Sequence, residues 1–238
     1  MQKNKKKVSL DDEIYSMIKR AITNRELAPG TKLSEEELAN MLNVSRTPIR
    51  LALKRLSYEM LVTIIPRRGA FVAQPTPQEV KNVFEMRMLL EDYSVRKACE
   101  KSKESKGFFE RIESCIELEK AAYSQGDIPG VLLQVEDIHV EIAKISGNNI
   151  LVNQLRDLIA LTNIYLTFFG SMSSNNPRSP KEHFNILMEI KNGHSEKASL
   201  LMYNHIFSIL NRLDFNLIQQ THGGIESVFK KTNDVKAN

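Results

Sequence analysis

Residues 29–56 read P-G-T-K-L-S-E-E-E-L-A-N-M-L-N-V-S-R-T-P-I-R-L-A-L-K-R-L, and their pattern predicts how the N-terminal part of the chain folds. Ser34, followed three residues later by Glu37, forms a capping box that predicts the start of a short helix. Asn43 then predicts a tight turn, and Ser45 predicts the cap of the next helix. Two short helices joined by a tight turn are typical of a helix-turn-helix.

The residues of the second helix that point away from its predicted core are mostly basic. They are Arg46, Thr47, Arg50 and Lys54. The first turn of such a helix enters the major groove of DNA, where arginine binds guanine edges or phosphates and threonine contacts a thymine methyl group or a phosphate. Two short strands, residues 62–65 and 70–73, then flank Pro66-Arg67-Arg68-Gly69 and predict a hairpin wing with two arginines at its tip. The alternative is an ordinary three-helix unit with a surface hairpin, but the basic outward positions favour DNA.

Charge is unevenly divided along the chain. Residues 1–75 hold 14 lysines and arginines against 8 acidic residues, a net charge of +6, whereas residues 76–238 hold 19 against 21, a net charge of −2. Basic surface attracts polyanions such as the phosphate backbone of DNA. We therefore expect a DNA-binding domain over residues 1–75, a second domain over 76–222 and a polar tail over 223–238.

The composition excludes several classes of protein. With 238 residues, 42% of them hydrophobic and 26% charged, the chain is typical of a globular protein and not of a disordered one. No apolar stretch approaches the roughly 20 residues that span a bilayer, and no apolar run follows the N-terminal lysines as in a signal peptide. Cys99 and Cys115 do not make a disulfide framework, so we expect a cytoplasmic protein without a membrane partner.

The quoted stretch, together with V-T-I-I-P-R-R-G-A-F-V at residues 62–72, resembles the winged-helix domain of the GntR family of bacterial transcription regulators. The resemblance covers about residues 10–75. It implies DNA contacts by Ser45, Arg46, Thr47, Arg50 and the wing glycine, Gly69.

Three positions depart from the family pattern. Leu51 stands where the family usually has glutamate, and Glu36 stands where some relatives have a DNA-contacting arginine. Met60 stands where the family usually has glycine after the recognition helix. We therefore expect Met60 to adopt a left-handed or strained turn at a cost of about 1 kcal/mol.

The rest of the chain shows helical patterns only. Thr76, Pro77 and Glu79 form a start signal, and the predicted helices cover about residues 77–102, 107–125, 130–146, 149–169, 180–192 and 195–221. Helices of these lengths with short loops are typical of an antiparallel bundle. The predicted fold class is therefore mainly α: an N-terminal winged helix-turn-helix with a small β-hairpin wing, followed by an all-α bundle of six or seven helices.

Three histidines lie on the apolar faces of three different predicted helices: His139, His183 and His205. Any one of them alone is best interpreted as a hydrogen-bonded core residue. Three together in a bundle favour a metal or anion site, because facing helices can build a cage of ligands. His194 and His222 lie beside glycines in predicted loops or helix ends, and we do not expect them to bind a ligand.

The same region resembles the FadR C-terminal, or FCD, effector domain over about residues 78–220. The resemblance rests on E-M-R-M-L-L-E at 85–91, D-I-H-V-E-I-A-K-I-S-G-N at 137–148, E-H at 182–183 and N-H-I at 204–206. It implies a divalent metal such as zinc or nickel bound by the three histidines and by an aspartate four residues before the first of them. That position is Val135 here, and Glu136 is rotated by about 100° from it on a helix.

Three histidines with water or a carboxylate completing the shell are nonetheless a known zinc arrangement. Arg87 matches an arginine that faces the effector pocket in relatives, where its guanidinium suits a carboxylate. The alternative for Arg87 is a surface arginine.

These observations predict a ligand-responsive transcription regulator that is not an enzyme. We expect a repressor that binds a palindromic double-stranded DNA operator as a homodimer, because a two-fold protein matches a two-fold site. The expected effector is a small organic acid. One alternative is a metal-dependent hydrolase that uses the three histidines, although no base or electrophile motif accompanies them. The other is an architectural DNA-binding protein without an effector.

Overall fold

The computed structural model describes residues 9–24, 26–170, 178–216, 224–226 and 228–229. The chain divides into two units. The first holds the residues before Thr76 together with Thr167–Phe169 and the residues from Phe215 onward, and the second holds Thr76–Leu166 and Gly170–Asp214.

Three helices and a three-stranded antiparallel sheet build the first unit. The elements are α1 (Leu10–Thr23), β1 (Lys32–Leu33), α2 (Glu35–Leu42), α3 (Arg46–Tyr58), β2 (Val62–Ile65) and β3 (Gly69–Val72). The strand order is β1-β3-β2, with Leu33 opposite Ala70 and Ile65 opposite Gly69. The predicted helix-turn-helix and hairpin are thus confirmed. Strand β1 was not predicted, because two residues are too few to show an alternating pattern.

Side-chain caps begin two of the three helices. The hydroxyl oxygens of Ser9 and Ser34 accept hydrogen bonds from the backbone three residues later. Ser45 occupies the predicted N-cap position of α3, but its hydroxyl accepts no such hydrogen bond. The physical reason is Pro48, which stands at the third helical position and has no N–H to donate.

The turn after α3 is left-handed, as predicted. Met60 has a φ of 57°, and its side chain is 56% exposed. Burial of the Met60 side chain therefore does not offset the strain of its left-handed backbone.

Six α-helices build the second unit within the described residues. They are α4 (Pro77–Glu100), α5 (Lys106–Gln125), α6 (Ile128–Ile145), α7 (Asn149–Phe169, of which the last three residues fall in the first unit), α8 (Arg178–Lys191) and α9 (Ser195–Asn211). Thr76 and Glu79 form the predicted capping box of α4. Helix α4 packs against α6 and α9, and α8 packs against α5 and α9. The mainly α fold class is confirmed.

Three details differ from the sequence prediction or lie beyond it. Helix α8 begins at Arg178, two residues before the predicted start. Ile225 and Phe229, which belong to the predicted polar tail, are buried. Helix α9 ends at Asn211, so the prediction of helix over residues 212–216 is wrong, while residues 217–221, His222 and most of the tail lie outside the described residues.

The described helices were compared with the length and hydropathy that a membrane-spanning helix needs. Within the described ranges, none is both long and apolar enough to cross a bilayer.

Candidate DNA-binding surface and buried histidine site

The candidate DNA-binding residues lie on the outer side of α3 and at the tip of the β2–β3 hairpin. All eight are exposed: Ser45, Arg46, Thr47, Arg50, Lys54, Arg67, Arg68 and Gly69. The opposite face of α3 is buried through Ile49, Ala52, Leu53 and Leu56. The apolar face therefore fixes the helix in the unit, while the other face presents cationic side chains to solvent.

Two of these cations are paired with carboxylates of α2. Arg46 Nη2 lies 2.9 Å from Glu36 Oε2, and Arg50 Nη2 lies 3.0 Å from Glu35 Oε2. Lys54, Arg67 and Arg68 make no ion pair with any residue that the structure describes. The surface thus combines three cations that make no ion pair with two arginines that pair with glutamates of α2.

The structure brings His139, His183 and His205 together in the interior of the helical unit. They come from α6, α8 and α9, and each is at most 3% exposed. His183 Nε2 lies 3.3 Å from His139 Nε2 and 3.2 Å from His205 Nε2. The three Nε2 atoms therefore converge on one point, as the sequence pattern predicted.

A glutamate stands behind each histidine. His183 Nδ1 lies 2.8 Å from Glu119 Oε2, His205 Nδ1 lies 2.7 Å from Glu182 Oε2, and His139 Nδ1 contacts Glu91 Oε2. A carboxylate can only accept here, so each Nδ1 carries the proton and each Nε2 presents a lone pair to the other two.

Electrostatics favour neutral imidazoles at His139 and His205. Burial lowers the pKa of His139 to about 4 and that of His205 to about 3. Burial by itself would raise the pKa of Glu91, but His139 and Arg87 outweigh it and lower that pKa to about 2. A proton on Nε2 of His139 or His205 would make that ring an imidazolium, which these two pKa shifts oppose. Imidazole nitrogens that converge in this way suit a bound cation.

The donor set fits a divalent metal ion. Zinc binds imidazole nitrogen at about 2.0–2.1 Å in tetrahedral geometry, which separates two ligand nitrogens by about 3.3–3.4 Å. The observed separations of 3.2 and 3.3 Å match this value. Among the described residues, the group of side chains that can share a metal consists of the three histidines, and neither Val135 nor Glu136 belongs to it.

Arg87 is a buried residue, so the alternative of a surface arginine is wrong. Its Nε donates to Glu91 Oε1 at 2.6 Å, and its Nη1 donates to Thr162 Oγ1 at 3.0 Å. Its Nη2 is buried and has no hydrogen-bond partner among the described residues. Since Glu91 also holds His139, Arg87 is one hydrogen-bonded step away from the histidine cluster.

Two family models match the chain at the two regions just described. The model of the bacterial regulatory proteins of the gntR family matches residues 10–72, and the FCD domain model matches residues 82–208, more than half of the chain. The chain belongs to the GntR family, in its FCD group. GntR-family proteins are transcription regulators, so both the matches and the relatives indicate a DNA-binding regulator and not an enzyme.

Individual GntR relatives agree with this assignment. The repressor RspR of Escherichia coli is 33% identical over 116 residues, which cover 49% of this chain and 47% of RspR. The uncharacterised regulator YdhC of Bacillus subtilis is 27% identical, covering 81% of this chain and 87% of YdhC. The chain thus spans about half the length of the first of these relatives.

The fold itself recurs in solved structures. The Listeria monocytogenes protein Lar superposes with a TM-score of 0.65 at 20% identity, covering 88% of this chain and 98% of Lar. A likeness at this identity supports the arrangement of helices and strands and carries no statement about ligands.

Sequence reasoning missed the polar residues that support the histidines and Arg87. Glu91, Glu119 and Thr162 are fully buried, and Glu182 is partly buried. A signal was present for Glu119, which follows Ile112 and Ile116 on the same buried stripe of α5. A carboxylate on an apolar helix face is almost never fully buried without a partner.

Proposed function

We propose that this GntR protein is a cytoplasmic, ligand-responsive repressor. It binds a palindromic operator as a homodimer, and its helical domain, residues 76–222, takes a divalent metal and a small carboxylate effector. The observation that carries the effector part is Arg87 Nη2, a buried cationic donor without a partner among the described residues. Buried polar groups are almost always hydrogen-bonded, so such a donor indicates a place for an acceptor.

The DNA-binding part is supported by the exposed face of α3 and by the wing. Arg46 and Thr47 stand at the N-terminal turn of α3, the part of a recognition helix that contacts base edges. Arg67 and Arg68 at the hairpin tip suit phosphates or the minor groove, because they are exposed cations. Gly69, with a φ of 100°, lets the wing turn tightly there.

The metal part is supported by the fit of the three histidines described above. His139, His183 and His205 would hold the ion, and Glu91, Glu119 and Glu182 would fix the orientation of the rings. When bound, the metal supplies a positive charge and an open coordination position for an anionic ligand. The Arg87 guanidinium, held in place by Glu91 and Thr162, would bind the carboxylate at a second point.

The homodimer is supported by an apolar strip along α4 and α9. Its members are exposed by 41–62%: Met86, Leu89, Tyr93, Leu200, Tyr203 and Phe207. Arg96 bonds to Glu196, and Asp92 bonds to Ser199, so α4 and α9 run antiparallel and the two rows of apolar side chains lie side by side.

The size of this strip fits a dimer contact. At roughly 200 Å² for a fully exposed large side chain, it presents about 600 Å² of surface. A stable dimer covers about 800 Å² per partner. Polar side chains around the apolar strip would supply the difference.

A selection from genomic DNA fragments with the full-length, zinc-loaded protein tests the proposal. We expect enrichment of a palindromic site at moderate salt and a change in its affinity when citrate, a probe for small carboxylates, is added. No enrichment over non-specific DNA would overturn the regulator. Enrichment that neither citrate nor any other small carboxylate alters would favour an architectural protein without an effector.

A further inference from the structure

Two ion pairs connect the first turn of α2 to the first two turns of α3. Arg46 Nη2 pairs with Glu36 Oε2 at 2.9 Å, and the side chains are 57% and 66% exposed. Ion pairs this exposed contribute little to folding stability. Their position is informative instead, because Glu36 lies beside the arginine that occupies the first helical position of α3.

The two ion pairs differ in the contacts and the exposure of the carboxylate. Both oxygens of Glu35 accept from the same edge of Arg50, at 3.0–3.2 Å, and the Glu35 side chain is 35% exposed. Glu36 Oε2 lies 2.9 Å from Arg46 Nη2, and the Glu36 side chain is mostly in solvent. Glu35 therefore positions Arg50, whereas the carboxylate of Glu36 is accessible to another donor.

We propose that Arg46 and Glu36 act together as one reader of a G·C base pair. The major-groove edge of that pair presents two acceptors, N7 and O6 of guanine, followed by one donor, the N4 amino group of cytosine. The guanidinium of Arg46 offers two donors to guanine, and the accessible carboxylate of Glu36 beside it offers one acceptor to cytosine. Arg46 and Glu36 together therefore present two donors followed by one acceptor, which is complementary to the edge of the G·C pair.

This inference rests on the proposed DNA binding and adds a specificity-determining residue to it. An A·T pair presents an acceptor, a donor and an acceptor in the same positions, so the carboxylate would face an acceptor, oxygen O4 of thymine. Glu36 thus discriminates against A·T by repulsion as well as favouring G·C by a hydrogen bond.

The test is a double-mutant cycle in which one change replaces a protein side chain and the other removes an amino group from the DNA. Selection with the full-length wild type and with Arg46→Ala first identifies the guanine whose preference depends on Arg46. The cytosine opposite that guanine is then replaced by 2-pyrimidinone, which lacks the N4 amino group, and operator affinities are measured by fluorescence anisotropy. The proteins are wild type, Glu36→Ala and the control Glu37→Ala, which removes the same charge from the next residue of α2.

We expect the base analogue to weaken wild-type binding about fivefold more than it weakens binding by Glu36→Ala, since one good base contact contributes at least this factor. The Glu37→Ala protein should respond as wild type does, because its change in net charge is the same and its side chain does not contact Arg46. Equal penalties for wild type and Glu36→Ala would overturn the G·C reader. A wild type that enriches no operator at all would instead overturn the proposed regulator.

Discussion

Replacing Glu182 by glutamine tests whether the carboxylates behind the histidines serve a metal site. Glu182 accepts a hydrogen bond from His205 Nδ1 at 2.7 Å, and this bond lowers the pKa of the glutamate below its ordinary value. Glutamine keeps the shape and one acceptor oxygen but removes the negative charge that raises the basicity of the ring. Loss of such a partner typically weakens metal binding by about 10- to 100-fold. This factor corresponds to about 1.4–2.7 kcal/mol.

The assay is calorimetric titration of zinc into the full-length protein after treatment with a chelator. The matched control is Glu189→Gln, because Glu189 lies on the same helix and accepts from Nδ1 of His194, which is outside the cluster, at 2.6 Å. We expect Glu189→Gln to bind zinc like wild type, Glu182→Gln to bind more weakly and His183→Ala to lose binding. Equal zinc affinities of the two glutamine variants, with thermal unfolding showing that both are folded, would contradict a role of Glu182 in metal binding.

Four further predictions follow from single side chains. Val135→Asp should tighten zinc binding by about tenfold in the same titration and weaken the binding of citrate to the zinc-loaded protein. Unchanged affinities would show that the side chain at position 135 does not reach the histidine cluster. Arg87→Lys keeps the charge but removes the planar fork, so the thermal stabilisation of the zinc-loaded protein by citrate should disappear, and an undiminished shift would contradict the carboxylate site. Met60→Gly should raise the free energy of unfolding by about 1 kcal/mol in urea titrations, whereas Met60→Ala, which retains a Cβ, should give no gain. Leu89→Glu should convert dimers into monomers in light-scattering measurements, whereas Leu133→Glu on α6, at a residue of similar exposure (57% against 62%), should not.

The DNA-binding unit could be predicted largely from the sequence because its signals are local. The cap at Ser34, the left-handed residue Asn43 and the strand at Val62–Ile65 are each determined by residues within a few positions. The pairing of Glu36 with Arg46 could not be predicted in this way. It depends on the packing of α2 against α3, which brings together residues ten positions apart.

The histidine site was predictable only in part. His139, His183 and His205 stand out because each is a polar residue on an apolar helix face. Their partners come from elsewhere in the bundle: Glu91 on α4 lies 48 residues from His139, and Glu119 on α5 lies 64 residues from His183. No periodicity along the chain encodes such a contact, because it arises only when the helices pack.

The partners also explain how a site without the family's aspartate can accept a metal. With their carboxyl groups ionised, Glu91, Glu119 and Glu182 contribute three negative charges and Arg87 contributes one positive charge, which leaves two negative charges around the three imidazoles. A divalent cation balances them, so its ligand shell can remain neutral and its open position attracts an anion. An aspartate at position 135 would hold the ion more tightly but would occupy that position and add a negative charge that repels a carboxylate. We therefore infer that Val135 lowers metal affinity and favours the effector, and the opposite shifts in zinc and citrate affinity expected for Val135→Asp test this trade-off directly.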